Sequence, residues 1–484
     1  VAERRFMGTK PDLDVFLDPK SVAVIGATER PGSWGSFIMQ GLLSRNYPGK
    51  IYPVNSRVDK IYGIGAYKDL KEIKEPIDLA ILTIPEHSVE KAIADCGQRR
   101  VKGVTIITAG FGEAFESGKD REQALVRLAR SYGMRLLGPN VSGTFNLHAE
   151  FNGSASPSEH LLRTSLAAIC QGGYAFYDLL ASGFSRGMGV GKFIHTGNEC
   201  DLTSTDFLEL LGSDPDVKAI LMYLEVIREG RRFIEIARRV TKEKPIVVYK
   251  AGRTPGASRA AQSHTGALSG TKEVYQGALH QAGITIAPTM ELLLPLGHAL
   301  VERPPMKGRK VGIITMGGSW GVALTDSLEE EGLRVPELSV PLQKSLRSLG
   351  MPPRASTKNP VDIGASGLFF EADTLVAIGR EILSSGEVDA LILHGIGRVG
   401  MLGKDASPRL KLFLDINKQV IQRFHGLEKT TGLPVLIGSH YTPWQSQAVH
   451  DLNEEGIRIY NRLDEIAQLL SSMHDYWEKN QKES

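Results

Sequence analysis

The 484-residue chain has only three cysteines, Cys96, Cys170 and Cys200, and none is in CxxC spacing. That excludes a disulfide framework and a zinc cluster and fits a reducing cytoplasm. Charge of one sign is also lacking: 57 Lys and Arg stand against 55 Asp and Glu, with no local excess that would hold nucleic acid or anionic lipid. No apolar run approaches the ~18 residues of a membrane span. The first residues, Val1-Ala2-Glu3-Arg4-Arg5-Phe6, have no apolar core for a secretory signal. HExxH is missing, and neither a metal site nor a serine hydrolase is expected. The stretch Gly187–Phe193 comes nearest to an ATP-phosphate loop, but Arg186 stands where its first Gly belongs and Phe193 where Ser or Thr belongs.

What is present is an α/β pattern rich in glycine. The 52 glycines follow no Gly-X-Y period and mark tight strand-to-helix turns. Apolar runs at 21–25, 51–54, 79–84, 104–108 and 134–137 alternate with amphipathic stretches, which predicts a parallel sheet covered by helices. A second unit starts near Leu161 and a third near Lys307, after the polar segment Glu302-Arg303-Pro304-Pro305. Both open alike: 166–169 runs into Gln171-Gly172-Gly173, and 311–315 runs into Met316-Gly317-Gly318. Later strands pair in order, 218–223 with 389–394, 244–248 with 433–437, and 283–286 with 456–459. The expected architecture is a Rossmann-like domain over 1–147 and two flavodoxin-like doubly wound domains over 148–305 and 306–484.

The first turn, Gly26-Ala27-Thr28 with Ser33 leading into a helix, has the form of a nucleotide-phosphate turn. An NAD site wants an acidic residue at the end of the second strand, whereas this chain reads Asn55-Ser56-Arg57 there, with Lys60 nearby. The basic pair suits a ligand with a ribose phosphate, NADP or coenzyme A, or it is ordinary surface charge.

Residues 251–270 form the most unusual stretch, small side chains around Ser263-His264-Thr265-Gly266. Such a loop can pack closely on a ligand or pass between sites. His264 is a candidate nucleophile toward phosphorus, or a loop histidine bonded to backbone. The turns at Gln171, Gly172, Gly173 and at Gly266 precede helices and offer backbone N–H groups to a phosphate. Glu225, after the strand near 219–224, either fixes the tautomer of a histidine or pairs with Arg228 or Arg231. His195 is a neighbour of this region. Asn198, Glu199 and Asp201 either bind a ligand or cap the helix near Thr203. His280, His298, His425 and His474 fall on amphipathic helices.

These motifs in this order, together with Pro85, Thr108, Gly138-Pro139-Asn140 and Asn359-Pro360-Val361-Asp362, resemble the α subunit of ADP-forming acyl-CoA synthetases. That is the acetate–CoA ligase type within the succinyl-CoA synthetase superfamily. The resemblance spans nearly the whole chain. It implies reversible conversion of acyl-CoA, phosphate and ADP to acid, CoA and ATP through a phosphohistidine, His264, oriented by Glu225. It places CoA near Gly26, Ala27, Thr28, Ser33, Asn55, Arg57, Pro85, Thr108 and Asn140. ATP or ADP with Mg2+ would be held by an ATP-grasp β subunit on a separate chain, in a heterotetramer. The substrate is a small organic acid of undetermined acyl group. One departure is notable: the family's Ser-Gln-Ser-Gly is Cys170-Gln171-Gly172-Gly173 here, with both hydroxyls gone. The competing readings are a CoA-binding regulatory module and an NADP-dependent oxidoreductase.

Overall fold

The computed structural model describes residues 13–115, 117–257, 259, 272–364, 371–395 and 408–482. His264 and Gly266 lie outside them. The chain forms two compact units, Val1–Ala181 with Gly189–Leu293, and Ser182–Met188 with Leu294–Ser484.

The first unit holds two large sheets. In the first are β1 (Ser21–Ile25) and β2 (Lys50–Val54); a small hairpin, β3 (Lys60–Ile61) and β4 (Ile64–Gly65), follows. After it come β5 (Leu79–Leu82), β6 (Gly103–Ile106) and β7 (Arg135–Leu137). The order is β2-β1-β5-β6-β7, all parallel. Tyr67 adds a single parallel bridge to Val54 at the outer edge. Counting that bridge as a vestigial third strand, the order is the Rossmann one, 3-2-1-4-5-6. β5 and β6 stop short of the apolar runs that suggested them. Thr83, Ile84, Ile107 and Thr108 leave the ladder and line a cavity at the carboxyl ends of the strands. The helix Trp34–Leu43 starts hard against β1, because Gly35 is glycine: a Cβ there would sit 2.2 Å from the Gly26 carbonyl oxygen.

The second sheet contains β8 (Gly143–Asn146), β9 (Phe151–Ser154), β10 (Leu166–Cys170), β11 (Lys192–His195), β12 (Ala219–Leu224), β13 (Ile246–Lys250) and β14 (Thr285–Ile286). Its parallel part runs β14-β13-β12-β10-β11, the flavodoxin order 2-1-3-4-5 read from the other edge. The hairpin β8–β9 extends it antiparallel beyond β11. Nothing in the strand rhythm announced this hairpin. The anticipated boundary at 147/148 falls in its turn. The hairpin is buried on the helix Trp34–Leu43, whose Gly41 lies so close that a Cβ would be 2.7 Å from the Ser154 carbonyl. The two sheets thus share one core, in which Ile38, Met39 and Val24 belong to the same apolar cluster as Phe151, Ile169 and Ile194.

A second tie is polar. The segment 198–202 runs beside β7 and the turn after it: Asn198, Cys200 and Leu202 N–H groups donate to the Pro139, Gly138 and Leu136 carbonyls. Asp201 seals the join. Its carboxylate, fully buried, accepts from Arg130 at 2.6 Å, Arg135 at 2.8 Å and the Leu136 N–H at 2.9 Å.

The second unit is built on β15 (Val311–Thr315), β16 (Val361–Asp362), β17 (Ala390–His394), β18 (Val435–Gly438) and β19 (Ile459–Tyr460). Its order, β16-β15-β17-β18-β19, is again 2-1-3-4-5 and all parallel. Leu391, Leu393, Val435 and Ile437 pack with Leu375, Ile378 and Phe424 of the covering helices. The internal repeat expected from sequence is realised strand for strand, β10 with β15, β12 with β17, β13 with β18 and β14 with β19. Among the described residues no helix is long and apolar enough to cross a membrane.

Asp201→Ala should destabilise the first unit by about 3 kcal/mol, because it strands two arginines and a buried N–H. A urea titration should show an earlier transition. An unchanged midpoint would mean that the backbone bonds alone hold the two sheets together.

Candidate active site

The carboxyl ends of both sheets in the first unit open onto one cavity of about 920 Å³. From the first sheet it takes Trp34, Thr83, Ile84, Ile107, Thr108 and Ala109, and from the turn after β7 Asn140, Val141 and Ser142. The second sheet adds Gln171, Gly172, Gly173, His195, Tyr223, Glu225 and Tyr249. The topological switch points of two doubly wound sheets therefore face each other across one ligand-sized space.

The sequence-derived CoA residues divide. Thr108 and Asn140 reach the cavity; Thr108 donates to the Ile84 carbonyl at 2.6 Å, and Asn140, at φ +61°, donates to Asn198. Gly26, Ala27, Thr28, Ser33, Asn55, Arg57 and Pro85 do not line it; their neighbours Trp34, Thr83 and Ile84 do. Several of them build the turn instead. Gly26 N–H donates to Val54, and the Ser33 hydroxyl donates to the Arg30 carbonyl at 2.7 Å. Thr28 Oγ1 accepts from the Arg30 N–H at 3.2 Å. Asn55 spans two loops, donating to the Ala27 carbonyl at 2.8 Å and accepting from the Arg57 N–H at 2.9 Å. Arg57 and Pro85 are exposed.

On the phosphate side the helix Gly173–Phe184 starts directly after the turn. The N–H groups of Gly172 and Gly173 make no hydrogen bond to a described residue. Both residues line the cavity at a helix N-terminus, the kind of place where unpaired N–H groups meet an anion. Gly173 has to be glycine: a Cβ would lie 2.5 Å from His195 Cε1 and 2.9 Å from Ser142 Oγ. His195 is buried and holds the turn from below. One ring nitrogen, Nε2, lies 3.0 Å from the Gln171 carbonyl, which can only accept, so Nε2 carries the proton. Nδ1 then accepts from the Ser142 N–H at 2.7 Å and lies 2.8 Å from Ser142 Oγ.

Gln171 is corrected here. Its own N–H goes to the Tyr223 carbonyl at 3.1 Å, and its side-chain amide is spent on Glu225, Val226 and Glu199. No donor of Gln171 is left for phosphate, and the anion-facing part of the turn is Gly172 and Gly173. Cys170, in place of a hydroxyl residue, is fully buried; burial pushes its thiol up, and Sγ sits 3.1 Å from the Gly172 carbonyl. It is a packed group and not a nucleophile.

Glu225 lies at the carboxyl end of β12, its Oε1 3.4 Å from the Tyr223 hydroxyl. The same oxygen is 3.4 Å from where a Gly172 Cβ would be, so the carboxylate faces the turn. Arg228, a possible partner at helical spacing, is committed elsewhere, to the Asn198 carbonyl at 2.8 Å and Glu199 at 3.7 Å. Burial together with the Glu225 charge raises the Tyr223 hydroxyl well above its ordinary range. Asn198 and Glu199 prove to be framework: Asn198 donates to Glu113 and Glu122, and buried Glu199 accepts from Thr196, Gln171 and the Ser204 N–H.

The stretch 251–270 is not loop from its start, since Pro255–Ala257 are helical. The Thr254 hydroxyl caps that turn by accepting from the Ala257 N–H at 3.2 Å. Sequence reasoning missed Trp34, Ser142 and Tyr249 as cavity residues: Trp34 opens the helix after β1, Ser142 precedes β8 and Tyr249 lies on β13, and the packing of the two sheets brings them together.

Residues 20–145 match the model of a CoA binding domain, and residues 163–300 that of a succinyl-CoA ligase like flavodoxin domain. The chain is 37% identical over 479 residues to the acetate–CoA ligase [ADP-forming] I subunit alpha of Pyrococcus furiosus, covering 97% of this chain and 99% of that one. It is 40% identical over 381 residues to the corresponding II subunit alpha, covering 78% and 81%. A solved structure of the Ca. Korarchaeum cryptofilum dinucleotide forming acetyl-coenzyme A synthetase 1, in complex with phosphate and ADP, superposes with a TM-score of 0.83 at 31% identity, covering 97% and 98%. These relatives give no support to an oxidoreductase or a purely regulatory module. The chain belongs to the family of ADP-forming acyl-CoA ligase α subunits and is a ligase subunit.

Proposed function

We propose that this chain supplies the CoA and acyl-phosphate half of a reaction that converts acyl-CoA, phosphate and ADP to acid, CoA and ATP. The supporting observation is that Thr108 and Asn140 share one cavity with Gly172, Gly173 and Glu225. A thioester seated along the first domain then presents its carbonyl to an anion at the glycine turn. Phosphate attacks that carbonyl, the C–S bond breaks, and CoA leaves as thiol with an acyl phosphate in its place. The Nε2 or Nδ1 lone pair of His264 next takes the phosphoryl group, and the P–O bond to the acid breaks. Glu225 accepts a hydrogen bond from the N–H of the other ring nitrogen and stabilises the imidazolium character that phosphorylation creates. The phosphoryl group passes to ADP, which with Mg2+ belongs to an ATP-grasp β subunit; an α2β2 heterotetramer in the cytoplasm is the corresponding assembly. The apolar wall of Ile84, Ile107 and Ala109 suits the pantetheine arm of CoA, and the glycine N–H groups suit the phosphate.

His264→Asn should abolish acid-labile labelling by γ-labelled ATP in the presence of the β subunit, and full turnover in that variant would refute the mechanism. Glu225→Gln should lower turnover by about 100-fold or more while calorimetric CoA binding is unchanged. Gly173→Ala, which must displace His195, should raise KM for phosphate at least about tenfold, or about 1.4 kcal/mol.

A further inference from the structure

β12 is an interior strand, paired with β10 on one side and β13 on the other, and it outlasts β10. The register of β10 with β12 ends at Cys170 opposite Tyr223. Gln171 adds one more backbone bond, to the Tyr223 carbonyl, and then the chain turns off into the helix Gly173–Phe184. Buried Glu225 and half-buried Val226 are left with peptide groups that β10 no longer pairs.

The side chain of Gln171 replaces the missing strand. Its Oε1 accepts from the Glu225 N–H at 2.6 Å and the Val226 N–H at 2.9 Å, and its Nε2 donates to the Val226 carbonyl at 2.8 Å. A primary amide is chemically a peptide group, so it extends the ladder by one step. The second Nε2 proton goes to Glu199 Oε1 at 2.9 Å. Two donors face the oxygen and two acceptors the nitrogen, which leaves one orientation of the amide. From the opposite side, Lys250 at the end of β13 donates from Nζ to the Glu225 carbonyl at 2.6 Å and to the Ala251 carbonyl at 2.6 Å. Its stem and ammonium are enclosed, with the Tyr275 ring 4.3 Å from Nζ.

We propose that Gln171 and Lys250 are positioning residues for Glu225: the amide grips its N–H, the ammonium grips its carbonyl, and the carboxylate is thereby aimed at the glycine turn. The proposal rests on the reading of Glu225 as the orienting carboxylate. It gives Gln171 and Lys250 no contact with phosphate or CoA, so their loss misplaces the carboxylate without removing a ligand.

Lys250 adds a pH signature. Desolvation brings its ammonium down to about 8, against the opposing pull of Glu225 from β12. Lys272 and Tyr275 of the neighbouring helix and Arg253 of the following loop line the same recess. Protonated Lys250 donates to the Glu225 carbonyl below that pH, and the grip weakens as pH rises through it.

The test uses the α subunit with its β partner in steady-state turnover. Gln171→Ala and Lys250→Met should each lower kcat by about 10- to 100-fold with KM for phosphate and for CoA within about twofold of wild type. Lys250→Arg should keep most of kcat and shift the alkaline limb of the pH profile upward. In the swap Gln171→Glu with Glu199→Gln, amide and carboxylate exchange places, and kcat should exceed that of Gln171→Glu alone. A raised KM for phosphate with kcat intact in Gln171→Ala would make Gln171 a ligand and overturn the proposal. So would an alkaline limb that Lys250→Arg leaves in place. If either single variant fails to fold, Lys250→Arg and the swap still decide. Acid-labile phosphate on the wild-type complex is scored in parallel: its absence overturns the phosphohistidine reading itself, and its presence with unaltered kcat in the variants overturns only the clamp.

Discussion

Everything at the active site follows from where β10 stops. A strand that bends into a helix leaves backbone groups unpaired on both sides of the bend. Those of the helix N-terminus are useful to an anion, and those of the neighbouring strand are a cost of burial. This chain treats the two sets differently. Gly172 and Gly173 line the cavity, their N–H groups bonded to no described residue, while the debt on β12 is met by side chains: Gln171 for Glu225 and Val226, with Thr196 and the Ser204 N–H holding Glu199 beneath it. The turn is fixed from below as well, by His195 between Ser142 and the Gln171 carbonyl. A backbone constraint is thus converted into a rigid floor under the glycine turn.

That floor matters only because a second sheet faces it. The carboxyl ends of β5 and β6 meet those of β10 and β12 across one cavity, and two ties keep them so. The hairpin β8–β9 is seated on the helix after β1, and Asp201 draws Arg130, Arg135 and Leu136 onto the segment that carries Asn198 and Glu199. Asp201 and Glu199, two residues apart, therefore serve different joins. The first holds the domains together and the second anchors the amide that aims Glu225. Displacement of that short segment reaches the carboxylate through a continuous chain of hydrogen bonds.

Much of this was legible in the residues. The βα rhythm, the repeat, and the turns at Gly26 and Gln171-Gly172-Gly173 are local signals, written in apolar runs and glycines. Glu225 could be read from sequence either as the carboxylate that orients a histidine or as a partner of Arg228 or Arg231, and it lines the cavity beside Gly172. Gln171 was misassigned because its spacing puts it on the turn, whereas its role depends on the register between β10 and β12, which is not local. Ser142 and Tyr249 were invisible for the same reason. The hairpin β8–β9 was hidden by its composition: Gly143-Thr144-Phe145-Asn146 and Phe151-Asn152-Gly153-Ser154 mix polar and apolar residues, yet both strands are buried, their polar groups satisfied within the hairpin and by Phe16. His264, the most conspicuous residue in the sequence, lies outside the described residues.

The repeat supplies an internal comparison for the clamp. The third sheet has the same topology and the same glycine turn, and Met316 N–H donates to the His394 carbonyl at 3.1 Å just as Gln171 N–H does to Tyr223. Register then equates residues. Thr315 opposite His394 matches Cys170 opposite Tyr223, so Met316 stands at the place of Gln171. His394 opposite Gly438 matches Tyr223 opposite Tyr249, which puts Ser439 where Lys250 stands. In the third sheet the amide and the ammonium are both absent from these two places. Had Gln171 and Lys250 been needed simply to finish a doubly wound sheet at its bend, the third sheet would need them too. It makes the same backbone bond, Met316 N–H to the His394 carbonyl, with Met and Ser at these places, so the doubly wound topology does not by itself call for the amide and the ammonium.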